Sequence, residues 1–294
     1  MKPAPFDWYR AGSAVEALSL LAEHGTDAKP LAGGQSLIPA MNFRLARPGI
    51  LVDLNGVADL SGIDTTADGT LRIGAMTRQR TAERSSTIAT HCPLLAEALP
   101  WVAHAQIRTR GTMGGSVAHA DPAAELPAVL AALGARYQLR SQGGERWIAA
   151  EDFVTGLFAT ALEPGELLTS IEVPRRAPRT GHAFIEMARR HGDFALAGVA
   201  CSITLDDASR CVSARVALFG VGDGPVLSTA ASKALIGTMP DDSAIRDAAA
   251  TAQAEADPPS DIHATAAYRR HLIGVLTRRA LSRAIERTAL TESQ

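Results

Sequence analysis

Arg110-Gly111-Thr112-Met113-Gly114-Gly115-Ser116-Val117-Ala118-His119-Ala120-Asp121-Pro122-Ala123-Ala124-Glu125-Leu126-Pro127 is the stretch that decides how this 294-residue chain is read. Paired glycines beside small hydroxyl residues bring backbone close to an anion, because no Cβ stands in the way. Successive N–H groups in such a turn make a concave anion site. Leu31-Ala32-Gly33-Gly34-Gln35-Ser36-Leu37-Ile38-Pro39 carries the same chemistry about 80 residues earlier, with Ser36 as a hydroxyl donor and Gln35 able to bond a ribose or adenine edge. A single Gly-Gly is more often a plain turn. Two of them allow one pyrophosphate to be gripped from both sides, which favours a dinucleotide. Neither matches G-x-G-x-x-G, so a Rossmann site is excluded. Gly220-Val221-Gly222-Asp223-Gly224 is off that pattern too and reads as a turn after a strand.

Toward the N-terminus, residues 13–25 read as an amphipathic helix. Ser13 caps it, Glu16 holds the capping-box position, Gly25 ends it, and Val15, Leu18, Leu21 and Ala22 form its apolar face. Residues 50–54 and 71–75 read as strands. A first subdomain is expected over 1–55 and a second over 56–174. In the second, 77–105 is helix-rich with Pro93 and Pro100 as breakers, 125–133 is helical, and 135–139 with 146–148 form a hairpin around Gly143-Gly144. Residues 167–173 form a strand stopped by Pro174, and 174–180 has no apolar period and reads as a linker. A C-terminal α+β domain is expected over 180–290, with strands at 198–205 and 211–219 and helices at 243–256 and 265–288. The last helix offers Arg269, Arg270, Arg278, Arg279 and Arg283 to solvent and buries Leu272, Val275, Leu276 and Leu281.

Hydrophobic residues at 46% and charged residues at 20% describe a soluble globular protein. Aromatics at 4%, a net charge of −2 and the lack of a Lys/Arg block argue against nucleic acid as a partner. Cys92, Cys201 and Cys211 form no C-x-x-C pair and cannot supply the four ligands of an iron–sulfur cluster, so any cluster must sit on another chain. Lys2-Pro3-Ala4-Pro5-Phe6 lacks the apolar region of a signal peptide, and no apolar run approaches membrane-spanning length. The expected location is cytoplasmic, with no membrane span.

Ala32–Leu37, Thr112–Ser116 and the His119–Pro127 extension together resemble the medium subunit of molybdenum hydroxylases. Members include the medium subunit of aerobic carbon monoxide dehydrogenase and the FAD domain of xanthine dehydrogenase. The resemblance runs nearly the full length and includes the opening Lys2–Phe6. It implies an α+β fold: two α/β FAD-binding subdomains of the vanillyl-alcohol-oxidase (PCMH) type, then an α+β C-terminal domain. It implies non-covalent FAD contacts at Ala32, Gly33, Gly34, Gln35, Ser36 and Leu37, and at Gly111, Thr112, Met113, Gly114, Gly115 and Ser116. Glu125 falls on the adenosine side, where a carboxylate accepts ribose hydroxyls. Leu168 lies in a strand bordering the flavin, Val102 approaches the ring, and Phe194 in Arg190-His191-Gly192-Asp193-Phe194 is the candidate ring lid. Met113 replaces the usual Ile or Leu, and Ser116 the common Asn, which bears on fine contacts only. The implied role is that of an oxidoreductase subunit without catalytic or metal-ligating residues of its own. Electrons come from [2Fe–2S] clusters on a small subunit, fed by a molybdopterin-binding large subunit, and pass to NAD, quinone or O2. The implied assembly is a dimer of heterotrimers.

His119 and Asp121 either form an acid–base or metal pair or shape the turn before Pro122, and flavin electron transfer needs no such relay. Glu125, taken without the resemblance, is a helix-start carboxylate that favours the dipole. Arg108 and Arg110 either neutralise diphosphate charge or are surface arginines. Trp101 is expected to pack beneath the second glycine stretch. Two other classes remain. A stand-alone FAD oxidase of the same fold would need its own base over the flavin, and the C-terminal part offers no clustered candidate. An assembly module that has lost FAD is opposed by the intact glycines of both stretches.

Overall fold

A run of Ile, Leu and Val needs cover on both faces, which a parallel sheet with crossover helices supplies. The computed structural model, which describes residues 2–289, builds this unit first. Met1 and residue 290, the far end of the expected C-terminal domain, lie outside the described residues. The first unit comprises β1 (Asp7–Arg10), α1 (Ala14–His24), β2 (Ala28–Leu31), α2 (Leu37–Asn42) and β3 (Ile50–Asp53), with the parallel order β1-β3-β2. Ser13 caps α1 by accepting the Glu16 N–H, and Gly25 ends it at φ +52. The buried face is Ala14, Ala17, Leu18 and Leu21, an i, i+3, i+4, i+7 set. Val15 and Ala22 fall off that stripe and are exposed, which corrects the expected face.

The second unit holds β4 (Ile63–Thr65), β5 (Leu71–Gly74), α3 (Gln79–Glu83), α4 (Ser86–His91), α5 (Pro93–Ala98), α6 (Ala105–Arg110), α7 (Met113–His119) and α8 (Glu125–Ala132). It continues through β6 (Arg136–Ser141), β7 (Gly144–Ala149), α9 (Ala150–Phe153), β8 (Val154–Gly156), β9 (Ala159–Thr160) and β10 (Leu167–Val173). Its main sheet is antiparallel in the order β4-β5-β10-β6-β7. All of β10 is buried, as a central strand covered on both faces must be. Pro93 and Pro100 open helical turns instead of breaking them, since a proline in the first turn gives up an N–H that had no helical partner.

The third unit is β11 (Thr180–Ala188), β12 (Ala195–Leu205), β13 (Cys211–Phe219), β14 (Val226–Leu227), α10 (Thr229–Leu235), α11 (Asp242–Glu255) and α12 (Ala266–Thr288), with the antiparallel order β11-β12-β13-β14. β11 was not foreseen, because His182 and Glu186 interrupt its apolar pattern; Thr180, expected in the linker, is its first residue. Alternate side chains serve two cores. Ala183, Val199, Ile203 and Val216 pack with Ile273 and Leu276 of α12. Phe184, Ala200, Ala217 and Phe219 join the core of the second unit, whose α8 is buried along its whole length. Arg269 is a correction: it is buried, with Nη1 2.7 Å from the Leu196 carbonyl and Nη2 2.7 Å from Asp261. Val275 is only half-buried.

Arg287 of α12 fastens the third unit to the second, with Nη1 2.6 Å from Glu97 of α5 and 2.8 Å from the His182 carbonyl. Burial depresses the His182 imidazole to about 4; the Glu97 charge opposes this, and Arg287 and Arg176 reinforce it. Among the described residues no helix is long and apolar enough to cross a membrane.

Candidate functional site

β2 ends at Leu31, and the chain turns through Ala32–Ser36 into α2. Gly34 sits at φ +73, a conformation that favours glycine. The N–H groups of Ala32 through Leu37 find no protein acceptor among the described residues. A run of unsatisfied donors at a turn is an anion site. The Ser36 hydroxyl makes no capping bond. Gln35 instead folds back on its own loop, with Nε2 3.1 Å from the Gly33 carbonyl. A cleft of about 370 Å³ opens here, lined by Ala32 to Gln35 of the loop together with Ile38, Asn42, Asn55 and Arg110, while Ser36 does not line it.

The second glycine stretch is not an open loop. Gly111 ends α6, Thr112 caps α7, and Met113–Ser116 form the first turn of that helix. The Met113 N–H donates to Thr77 at 2.9 Å, Gly114 to Ala75 at 2.8 Å and Gly115 to Thr112 Oγ1 at 3.0 Å. Met113 is fully buried in the core. These glycines make room for protein: a Cβ on Gly114 would stand 2.9 Å from the Ala75 Cα. Of the N–H groups from Gly111 to Ser116, only that of Thr112 lacks an acceptor among the described residues.

The two stretches nevertheless touch. A Cβ on Gly33 would run into the Arg110 carbonyl and stand 2.9 Å from the Gly111 Cα, and one on Gly115 would stand 3.5 Å from the Ala32 Cβ. The contact is bridged by residues that no motif marks. Asn55 donates Nδ2 to the Ala32 carbonyl at 3.1 Å, and Arg78 donates Nη2 to Asn55 Oδ1 at 2.6 Å and Nη1 to the Arg110 carbonyl at 2.5 Å. Arg78 and Asn55 lie far from either glycine stretch in the chain, so spacing gave no signal for them.

The two flanking arginines separate. Arg108 is buried, bound to Glu83 at 3.0 and 3.2 Å and to the Val102 and Ala103 carbonyls at 2.9 and 3.0 Å. It pins the chain and takes no part in the cleft. Arg110 is exposed on the cleft and makes no ion pair among the described residues. Replacing Arg108 by Ala leaves Glu83 with Arg80 as its remaining partner and strips the Val102 and Ala103 carbonyls of their donor, so the protein should lose roughly 2 kcal/mol in urea denaturation.

Glu125 opens α8 and is buried. Burial pushes its carboxyl up to about 7; Asp121 adds to this and Arg108 opposes it. Glu186 of β11 was not anticipated. Both its oxygens are buried without a hydrogen-bond partner, and burial, then the charge of Glu125, pushes it up to about 8. Glu125, Val102, Leu168 and Phe194 do not line the loop cleft. Val102 and Leu168 are buried, while Phe194 is 74% exposed in the β11–β12 turn. Trp101 packs against Phe184 and His191, with ring centroids 6.3 and 5.2 Å away, and against the core cluster that also holds Met113 of the second stretch. Asp121 accepts the Ala123 N–H at 2.9 Å, a turn-shaping bond, and His119 lies 5.2 Å from the Phe158 ring.

A parallel three-stranded unit offering free N–H donors and an unpaired arginine beside a second, larger unit makes an α+β protein whose cleft chemistry fits an anionic ligand. The family described as the FAD binding domain in molybdopterin dehydrogenase matches residues 4–176, and the CO dehydrogenase flavoprotein C-terminal domain matches residues 182–284. The chain belongs to this family: it is an FAD-binding oxidoreductase component of the molybdopterin-dependent dehydrogenases. It is 43% identical to the 6-hydroxypseudooxynicotine dehydrogenase complex subunit alpha of Paenarthrobacter nicotinovorans, over 99% of this chain and 98% of the relative. It is also 43% identical to the carbon monoxide dehydrogenase medium chain of Afipia carboxidovorans, over 97% and 98%. Its fold is similar to a chain of reconstituted CO dehydrogenase from Oligotropha carboxidovorans, with a TM-score of 0.94, 42% identity and coverage of 98% and 100%.

Proposed function

We propose that this chain is the electron-transfer subunit of a heterotrimeric molybdenum hydroxylase, joined to a molybdopterin-binding large subunit and a [2Fe–2S] small subunit as a dimer of heterotrimers. Electrons reach it from the clusters and leave to NAD, quinone or O2. The carrying observation is the run of unsatisfied N–H groups from Ala32 to Leu37, in a loop whose residues Ala32 to Gln35 line a cleft that also presents Arg110. Donors without acceptors and a cation without a carboxylate fit a diphosphate. FAD, when bound, supplies a carrier able to take electrons singly and release them singly or in pairs.

The residues around the cleft bind and orient. Ala32, Gly33, Gly34, Gln35, Ser36 and Leu37 donate from backbone and hydroxyl, and Arg110 balances charge. Gly111, Thr112, Met113, Gly114, Gly115 and Ser116 close the opposite side, with the Thr112 N–H as the donor left over. Away from that cleft, the buried Val102 and Leu168 supply apolar surface that excludes water, the exposed Phe194 is free to cover the ring, and Glu125 is assigned to the sugar. In this reading the units divide as 1–55, 56–174 and 180–290.

Purification of the chain with its operon neighbours tests the assignment. The expected product is yellow, with a band near about 450 nm from bound flavin, and carries two further chains holding molybdopterin and iron–sulfur. A yellow protein that oxidises a substrate with no other chain present would establish the stand-alone oxidase instead.

A further inference from the structure

The two glycine stretches come from units that are covalently distant, and among the described residues a small set of bonds links them. Asp53 begins it. Its Oδ1 accepts both the backbone N–H of Asn55 at 2.9 Å and Asn55 Nδ2 at 2.5 Å. That sets the amide orientation: Nδ2 faces two acceptors, Asp53 and the Ala32 carbonyl, and Oδ1 faces the Arg78 donor. Arg78 then uses the fork of its guanidinium, with one arm on Asn55 and the other on the Arg110 carbonyl. Arg78 itself is placed by the antiparallel bridge to Thr112. The result is an unbroken line of bonds from Ala32 in the first stretch to Arg110 in the second.

We propose that Asn55 and Arg78 are a positioning strap that holds the two glycine stretches at the separation a diphosphate needs. The inference rests on the FAD reading above and adds to it residues that contact the stretches without belonging to either motif. Two features support it. Gly33 packs directly on Gly111 at the point the strap spans, so a shift of one stretch displaces the other. Arg78 and Arg110 are like charges held together, and burial and then the Arg110 charge both push the Arg78 guanidinium down, with Asp53 opposing. A bound dianion relieves that repulsion, which makes the strap tighter with ligand than without. A lysine cannot replace Arg78, because a single ammonium lacks the planar fork that reaches two acceptors at a fixed angle.

The test uses the full chain stripped of FAD, with titrations of FAD, ADP and riboflavin followed by fluorescence and calorimetry. ADP shares the diphosphate and lacks the flavin, and riboflavin has the reverse. R78M should weaken FAD and ADP alike by roughly 30-fold, from the loss of two charge-assisted hydrogen bonds. R78K should recover less than half of that loss on a logarithmic scale. Riboflavin affinity should stay within about twofold, which general loosening of the fold would not allow. N55S serves where R78M does not fold, and the N55S/R78M pair should be clearly non-additive, because the two residues act in one line. Weakened FAD with unchanged ADP, or equal losses for FAD and riboflavin, would overturn the strap. Wild-type protein that bound neither FAD nor ADP would overturn the FAD reading itself and the strap with it.

Discussion

Gly33→Val should leave the purified protein colourless, with less than about a tenth of the wild-type flavin content. Gly33 has no room for a side chain. A Cβ there meets the carbonyl of Arg110 and the Cα of Gly111, both backbone atoms that cannot rotate away. Valine would therefore pry the two stretches apart and turn the Ala32–Leu37 donors out of register. The damage falls on the cleft, because Gly33 follows β2 and lies outside the three main cores. Circular dichroism should stay close to wild type while the absorbance near about 450 nm disappears. Gly114→Val is a different experiment. Its Cβ would press on Ala75 at the end of β5, so the fold should lose about 3 kcal/mol and FAD would be lost through unfolding. Equal flavin content in Gly33→Val and wild type would remove the loop contact from the site.

Stability should fall as pH rises from about 6.5 to 8, and Glu186→Gln should abolish most of the fall. Glu125 and Glu186 have folded pKa values near 7 and 8 against an unfolded value of 4.5. Between those limits the folded chain binds more protons than the unfolded chain, so stability decreases with pH and levels off above the folded values. His182 works in the opposite sense. Its folded value near 4 lies below the unfolded 6.5, so it makes stability rise with pH across that window. The two effects offset each other below pH 6.5 and leave the alkaline decline unopposed above it. The charged groups acting on the pair are Asp121, which strengthens the shift of Glu125, and Arg108, which weakens it and is itself bound to Glu83. Glu125 alone contributes roughly 3 kcal/mol. Urea denaturation from pH 5 to 9 measures this, and a flat profile above pH 6.5 would show that burial does not hold the two carboxyls protonated.

Much of the fold was readable because its strands are short runs of buried aliphatic residues. Leu167–Val173 was delimited to the residue, since Leu167, Leu168, Ile171 and Val173 form a short aliphatic-rich run and Pro174 stops it. β11 was hidden by its own chemistry: a histidine and a glutamate point into places where an apolar side chain was expected. The second glycine stretch was read as a loop because each glycine costs a helix about 1 kcal/mol. Buried Met113 and Val117 and the bonds to Thr77 and Ala75 outweigh that penalty. The diphosphate chemistry of Gly33, Gly34 and Ser36 was visible in composition. The separation of Arg108 from Arg110 was not, because it depends on Glu83 and the Val102 carbonyl, which only the packing of α3 against α6 brings near.

The two-sided sheet of the third unit has a consequence for recombination between relatives. Phe184, Ala200, Ala217 and Phe219 are core to the flavin-binding half, while their neighbours one residue along the strands are core to the helices α11 and α12. Cutting the chain after residue 176 would strip the cover from α8 and expose an aromatic face. A chimera that joins one relative's first 176 residues to another's remainder inherits two half-interfaces that were never selected against each other. The heritable block is α8 with the strands it leans on, and a crossover placed even in the exposed turn between β12 and β13 would split that block.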